Sequence, residues 1–272
     1  MNFSPVRINP LAMVAGLYRN RSLLLDMTHR EIWGRYKGAS MGLLWSLITP
    51  LLMLVVYTTV FGGIFKARWG GTGTTIEFAL QLFCGMTLHG FLAECLTRAP
   101  SKLFDHANYV KKVVFPLEIL PVIVVLSALF HTAIGLLILV VGSIAVHQAV
   151  FVTLIAIPAV LAPLILLCLG ASWFLAAATV YLRDIAQITG LVAALLLFLA
   201  PIFYPVSMIP EAYQPLMGLN PLTVPIEQLR EVIGGNWPDW RALAWHGAGS
   251  LVVAWLGYAW FQKTRKGFAD VL

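Results

Sequence analysis

Charge is what this chain has least of. Only 11% of its 272 residues are Asp, Glu, Lys or Arg, and 60% are hydrophobic, whereas soluble domains sit near ~25% and ~45–50%. That imbalance excludes an ordinary soluble domain and indicates a chain that crosses a membrane several times. Cysteine is also scarce. Cys84, Cys95 and Cys168 all fall in apolar stretches and none forms a CxxC, so neither a disulfide framework nor a zinc site is expected. No GxxxxGK[ST] occurs, so the chain has no loop to cradle the phosphates of ATP. HExxH is missing too, and with it the helical zinc-protease site. Ionisable residues within the apolar stretches are few, among them His89, Glu94 and His131. Such residues are functional candidates by default, but these three are too few and too scattered for a proton-driven transporter or for catalysis by this chain alone. Glu94 is expected to lie near one end of its span, and His131 to be a core histidine.

What the chain does contain is apolar segments of bilayer length. About 20 mainly apolar residues are needed to cross a membrane as a helix. Six segments qualify: 43–65, 78–96, 119–146, 160–182, 185–204 and 242–261. The uncharged run from Val150 to Leu182 is too long for one straight span, so Pro158 and Pro163 are expected to separate an outer piece from the span proper. The patch Leu11–Leu17 is short and is followed by Arg19 and Arg21; it is not expected to act as a cleavable signal. Six spans put both ends of the chain on one side. On that side lie fourteen of the 18 lysines and arginines, leaving Lys66, Arg68, Arg230 and Arg241 on the other. Lys and Arg enrichment marks the cytoplasmic side, so both termini are expected there.

Residues 30–50, REIWGRYKGASMGLLWSLITP, mark the passage from membrane surface to membrane interior. Residues 22–37 are expected to form an amphipathic interface helix. Leu25, Ile32, Trp33 and Tyr36 would make its apolar stripe, and Asp26–Arg30 and Glu31–Arg35 are acid-before-base pairs four apart. Gly38 and Gly42 form a hinge between this helix and the first span. The connection 105–116 holds Tyr109, Lys111 and Lys112 ahead of Phe115–Pro116, and the short connection after span four holds Arg183 and Asp184. Outside span five, residues 207–235 read as two short apolar helices split at Gly218–Asn220. The second starts at Asn220–Pro221, carries the stripe Leu222, Ile226, Leu229 and Ile233, and ends at Gly234–Gly235. Neither piece is long enough to span, which suits a re-entrant hairpin or a surface flap. Candidate channel-lining aromatics are Trp45, Phe83, Trp173, Phe174, Phe198, Phe203 and Tyr204, although packing and interfacial belts use the same residue types.

Several motifs in order resemble the permease subunit of type-2 ABC exporters that move lipid-linked polysaccharide. They are RYKGASMGLLWSLITPLL (35–52), NYVKKVVFPLEILP (108–121), YLRDI (181–185), APIFYPVSMIP (200–210), NPLT (220–223) and KTRKGFADVL (263–272). The resemblance implies an all-α membrane protein forming one transmembrane domain over residues 1–272. It implies an interface helix at 22–37, a coupling helix at 105–116 and outer gate helices at 207–235. It further implies a homodimer bound to two copies of a separate ATPase in the bacterial inner membrane. ATP and Mg²⁺ would then sit on that partner, with no cofactor, metal or nucleic acid on this chain. Arg30, Arg35, Tyr109, Lys111, Lys112, Arg183 and Asp184 would couple to the ATPase, and Pro210, Tyr213, Asn220 and Pro221 would belong to the outer gate. The cargo implied is a polysaccharide on undecaprenyl pyrophosphate, with O-antigen foremost. A type-2 permease for drugs or small lipids, and a membrane enzyme acting on polyprenyl lipids, are the alternatives.

Overall fold

The computed structural model describes residues 9–66, 69, 74–111 and 115–271, and their regular structure is all helical, with no strand. Lys112 lies outside the described residues. Two helices, α1 (Pro10–Arg19) and α2 (Arg21–Tyr36), precede the first apolar stretch. That stretch runs from a 3-10 turn at Gly42–Leu44 through α3 (Trp45–Tyr57) into a π-helical turn at Thr58–Ile64. α4 spans Thr75–Arg98 and begins with a capping box: the Thr74 hydroxyl accepts from the Glu77 backbone N–H, and the Glu77 carboxylate accepts from that of Thr74. The short helices α5 (Lys102–Asp105) and α6 (Ala107–Lys111) lead to α7 (Ile119–His147). α8 (Ile157–Tyr181), α9 (Ile185–Leu199), α10 (Gln214–Met217), α11 (Thr223–Ile233), α12 (Trp240–Thr264) and α13 (Phe268–Val271) complete the chain.

Among the described residues four stretches are long and apolar enough to cross a membrane: Gly42–Ile64, Thr75–Arg98, Ile119–His147 and Val152–Tyr181. The other two expected spans differ from these for local reasons. α9 is apolar but stops after 15 residues, because Pro201 disfavours helical backbone at Ala200, which turns extended. α12 is 25 residues long, but His246, Gly247, Gly249 and Ser250 dilute its hydropathy. Within the fourth stretch Pro163 stays inside α8, and the change of helix type falls before Pro158, where a 3-10 turn at Val152–Ala156 leads into α8.

The core falls into two clusters. One packs α4, α7, α8 and α11 around Leu82, Phe91, Leu139, Leu164 and Ile226. The other gathers Leu24, Leu103, Leu120, Trp173, Phe261 and Phe268 at the opposite, basic end. α8 and α12 meet closely where Gly170 and Gly257 face each other. A Cβ at Gly257 would fall against the Gly170 carbonyl, and one at Gly170 against that of Val253. Small residues at such crossings let helices approach without hydrophobic driving force in lipid. The stretch Gly42–Ile64, by contrast, is almost unburied, with Leu51, Leu52, Val55 and Val56 exposed.

Candidate functional site

At the basic end α2 is fastened to the bundle by charge. Arg35 donates to Glu94 Oε1 at 2.6 Å, and Arg98, one turn along α4, donates to the same oxygen at 2.8 Å. His131 Nδ1, from α7, lies 3.3 Å from Glu94 Oε2 and 3.1 Å from Arg35 Nη1. Glu31 pairs with Arg98 and, at 2.6 Å, with the buried Lys102. Three helices and α5 thus share one ionic network centred on Glu94. A charge in apolar surroundings is tolerated only where opposite charges and hydrogen bonds satisfy it, which explains why these residues converge.

The network fixes which face of α2 meets the bundle. Leu25 and Trp33 are exposed, while Leu24, Thr28, Glu31 and Arg35, spaced i, i+4, i+7, i+11, form the inward face. Of the apolar stripe, Ile32 and Tyr36 are half-buried, with Tyr36 edge-on to His131 at 6.0 Å, and only Leu25 and Trp33 stay exposed, as suits a membrane surface. Glu31 and Arg35 do not pair with each other but with α4 and α5, and among the described residues Asp26 and Arg30 form no ion pair. Burial alone would raise the Glu31 carboxyl pKa. The Lys102 hydrogen bond and the Lys102 and Arg98 charges outweigh that and hold it below its ordinary value. A lowered folded pKa means this acid's stabilising contribution is complete above the ordinary glutamate range and is lost as pH falls through it. A spin label at His29→Cys is accordingly expected to gain mobility as pH drops below about 4.3, and pH-independent mobility would count against the Glu31 anchor.

The other expected coupling residues surround this network. Arg30, Tyr109, Arg183 and Asp184 are exposed. Tyr109 stacks on Phe115 at 4.6 Å, and the Arg183 guanidinium lies 5.7 Å from the Phe104 ring centroid, so the two connections touch. Lys111 ends α6. The chain's C-terminal part closes the same end: Tyr181 donates to the Thr264 carbonyl, Phe268 is buried, and Arg265 reaches Glu118 at 3.3 Å.

Between α2 and α3, Gly38 and Gly42 both have left-handed backbone, with φ of +87° and +51°, and nothing within 4 Å of a built Cβ. Strain rather than space therefore restricts these positions. These residues also carry a Gly-x-Ser-x-Gly spacing, but Ser40 is exposed in a helix-to-helix turn rather than on a strand-to-helix elbow, and no histidine among the described residues bonds to it. Gly38→Val and Gly42→Val are each expected to cost about 1–2 kcal/mol through backbone strain and to impair transport more than membrane abundance. Equal loss of both, by export assay and immunoblot, would reduce the hinge to a folding role.

At the opposite end, α11 buries Leu222, Ile226, Leu229 and Ile233 against the core. Asn220 accepts from the Leu222 backbone N–H at 2.9 Å, so the helix begins at Thr223, slightly beyond Asn220–Pro221. Gly235 ends the segment at φ +88°, with the Phe151 ring where a Cβ would stand. Pro210 and Tyr213 are exposed, and Pro221 is half-buried. Arg230, one of the four cations expected on the non-cytoplasmic side, is buried. It donates to the carbonyls of Gln81, Pro201 and Ile202, and its guanidinium lies 4.2 Å from the Trp69 ring centroid. It ties α11 to α4 and to the turn after α9.

Of the candidate pathway aromatics, Phe83 and Trp173 are buried within the subunit, and the Trp173 indole donates to the Glu118 carbonyl at 2.9 Å. Trp45, Phe174 and Phe198 are exposed. Phe203 stacks on Phe198, and the Tyr204 hydroxyl donates to the Phe198 carbonyl. Glu31, Arg98, Lys102, Glu118, Arg230 and Arg265 carry the charged contacts that local spacing did not reveal. No group of three or more metal-ligating side chains occurs among the described residues.

The ABC-2 type transporter family is matched by residues 22–233. The O-antigen export system permease protein RfbA of Myxococcus xanthus is 26% identical over 263 residues, which covers 96% of this chain and 99% of that protein. Two Klebsiella pneumoniae proteins of the same name are 22% and 23% identical over 251 residues, covering 92% of this chain and 95% of each. A match across most of the chain, joined to an all-helical bundle with several membrane-length helices, establishes that this polypeptide belongs to the ABC-2 type transporter membrane family.

Proposed function

We propose that this chain is the membrane-spanning, channel-forming subunit of an ATP-driven exporter. Its cargo would be undecaprenyl-pyrophosphate-linked polysaccharide, O-antigen foremost, carried from the cytoplasmic to the outer side of the inner membrane. The observation that carries the cargo is the near full-length likeness to O-antigen export permeases. Transmission from a separate ATPase is supported by the ionic network: a helix at the basic end is clamped by charge to α4 and α7, so a push on that end reaches the bundle directly. In this reading α9 and α12 complete six spans, both termini are cytoplasmic, and residues 105–116 with Arg30, Arg35, Arg183 and Asp184 form the docking face. ATP and Mg²⁺ belong to two partner ATPase subunits. The exposed apolar surfaces of Gly42–Ile64 and of α9, with Ile188, Leu191, Leu195 and Phe198, suit lipid and a second copy of this chain.

Deletion of the chain from its host tests the reading. Loss of surface glycan with cytoplasmic accumulation of the lipid-linked polymer is expected, together with co-purification of an ATPase in mild detergent. Unchanged surface glycan would transfer the family assignment to a drug or small-lipid cargo.

A further inference from the structure

A cavity of about 460 Å³ lies between α8, the turn that precedes α11, and the first half of α12. Leu167 and Val253 form apolar wall, and Trp245, 73% exposed, stands at the rim. Three polar side chains that line it have a buried atom with no partner: Asn220 Nδ2, His246 Nε2 and Ser250 Oγ. Ser250 is only 2% exposed. The Asn220 amide has a fixed sense, because its Oδ1 accepts from the Leu222 N–H at 2.9 Å and leaves the NH₂ as the spare donor. His246 and Ser250 stand one helical turn apart on α12, so both unpartnered groups lie on one face.

Buried polar groups in folded proteins are nearly always satisfied, and three unsatisfied ones around one cavity mark a missing polar occupant. The chemistry narrows what it is. No Asp, Glu, Lys or Arg is among the described lining residues, so a phosphate or carboxylate would be desolvated without a counter-charge. A bare acyl chain would fill the apolar wall but leave the three polar atoms orphaned. A ligand with hydroxyls along one edge and an apolar face on the other meets both conditions, and an indole at the rim suits that apolar face. We propose that this cavity is a binding subsite for a neutral sugar ring, seated between the outer turn and α12. The proposal rests on the glycan-export reading above and locates one contact for that cargo outside the aromatic pathway candidates. Because Asn220 belongs to the turn at Gly218–Pro221, a seated ring would brace that turn against α12.

The test uses the full chain with its ATPase partner in phosphatidylethanolamine nanodiscs. Saturation-transfer NMR is read for mannose, galactose and rhamnose, with glucuronate as the charged control. Binding of at least one neutral sugar is expected, with glucuronate weaker. Ser250→Val and His246→Phe are each expected to raise its dissociation constant about fivefold, the scale of one lost hydrogen bond. ATPase co-purification checks that the variants fold. Absence of transfer from every neutral sugar, or unchanged binding in both folded variants, would overturn the subsite and leave the cavity to water or an acyl chain. Surface-glycan complementation by the wild-type gene is scored in parallel. Its success with no sugar binding defeats only the subsite, and its failure defeats the export reading itself.

Discussion

Glu94→Ala is expected to reduce glycan export at least about tenfold, and to do so more severely than Arg35→Ala. Glu94 is the one acid shared by Arg35, Arg98 and His131. Its loss leaves the Arg35 guanidinium without a carboxylate and Arg98 with Glu31 alone, and removes the link between α2, α4 and α7. Breaking a fully buried pair by removing one member costs on the order of 3–5 kcal/mol, and partial exposure of both arginines brings the loss here below that. Arg35 is 44% exposed, so its removal frees a carboxylate that Arg98 still neutralises, and solvent screens the remainder. Glu94→Gln keeps shape and hydrogen bonding while losing charge, and should fall between the two. Export is read from surface glycan per unit of folded transporter. Equal effects of Glu94→Ala and Arg35→Ala would show that Glu94 is not the centre of the network.

The second large effect is steric. Gly257→Leu is expected to abolish the folded transporter, and Gly257→Ala to reduce it severalfold, because an added Cβ meets the carbonyl and Cα of Gly170 rather than a movable side chain. Overpacking costs about 1–3 kcal/mol where side chains can shift, and more where only backbone can give way. Gly249→Ala on the same helix has open space around it and serves as the control. The readout is the monodisperse fraction after detergent extraction. Wild-type yield from Gly257→Leu would mean that α8 and α12 are not held at this crossing.

The parts of this architecture legible in the sequence were those governed by local rules. The α11 stripe Leu222, Ile226, Leu229 and Ile233 was readable because that helix packs against protein, so apolar periodicity there has its usual meaning. On α2 the same periodicity says less about packing, since Leu25 and Trp33 need no protein partner at a membrane surface while Ile32 and Tyr36 are half-buried. Spacing of four also suggested that Glu31 and Arg35 satisfy each other, whereas their partners lie 59 to 96 residues away along the chain. Arg230 counted as one more outer cation, because nothing local shows that three carbonyls from distant segments converge on it. The Thr74–Glu77 capping box, by contrast, stands in the sequence as T-x-x-E and was available to inspection. Gly170 and Gly257 are 87 residues apart, and only packing reveals them as one contact.

The Arg230 anchorage has a consequence for how the two ends answer their surroundings. Its acceptors are peptide carbonyls, which do not titrate, and it is sealed from salt by burial and the Trp69 ring. The basic end is held by carboxylates paired with cations, which weaken in acid and, where exposed, in high ionic strength. One end of the molecule is therefore chemically deaf to its medium while the other listens. In the proposed orientation, the end that responds is the one turned to the regulated interior, and the end that does not respond is the one turned away from it.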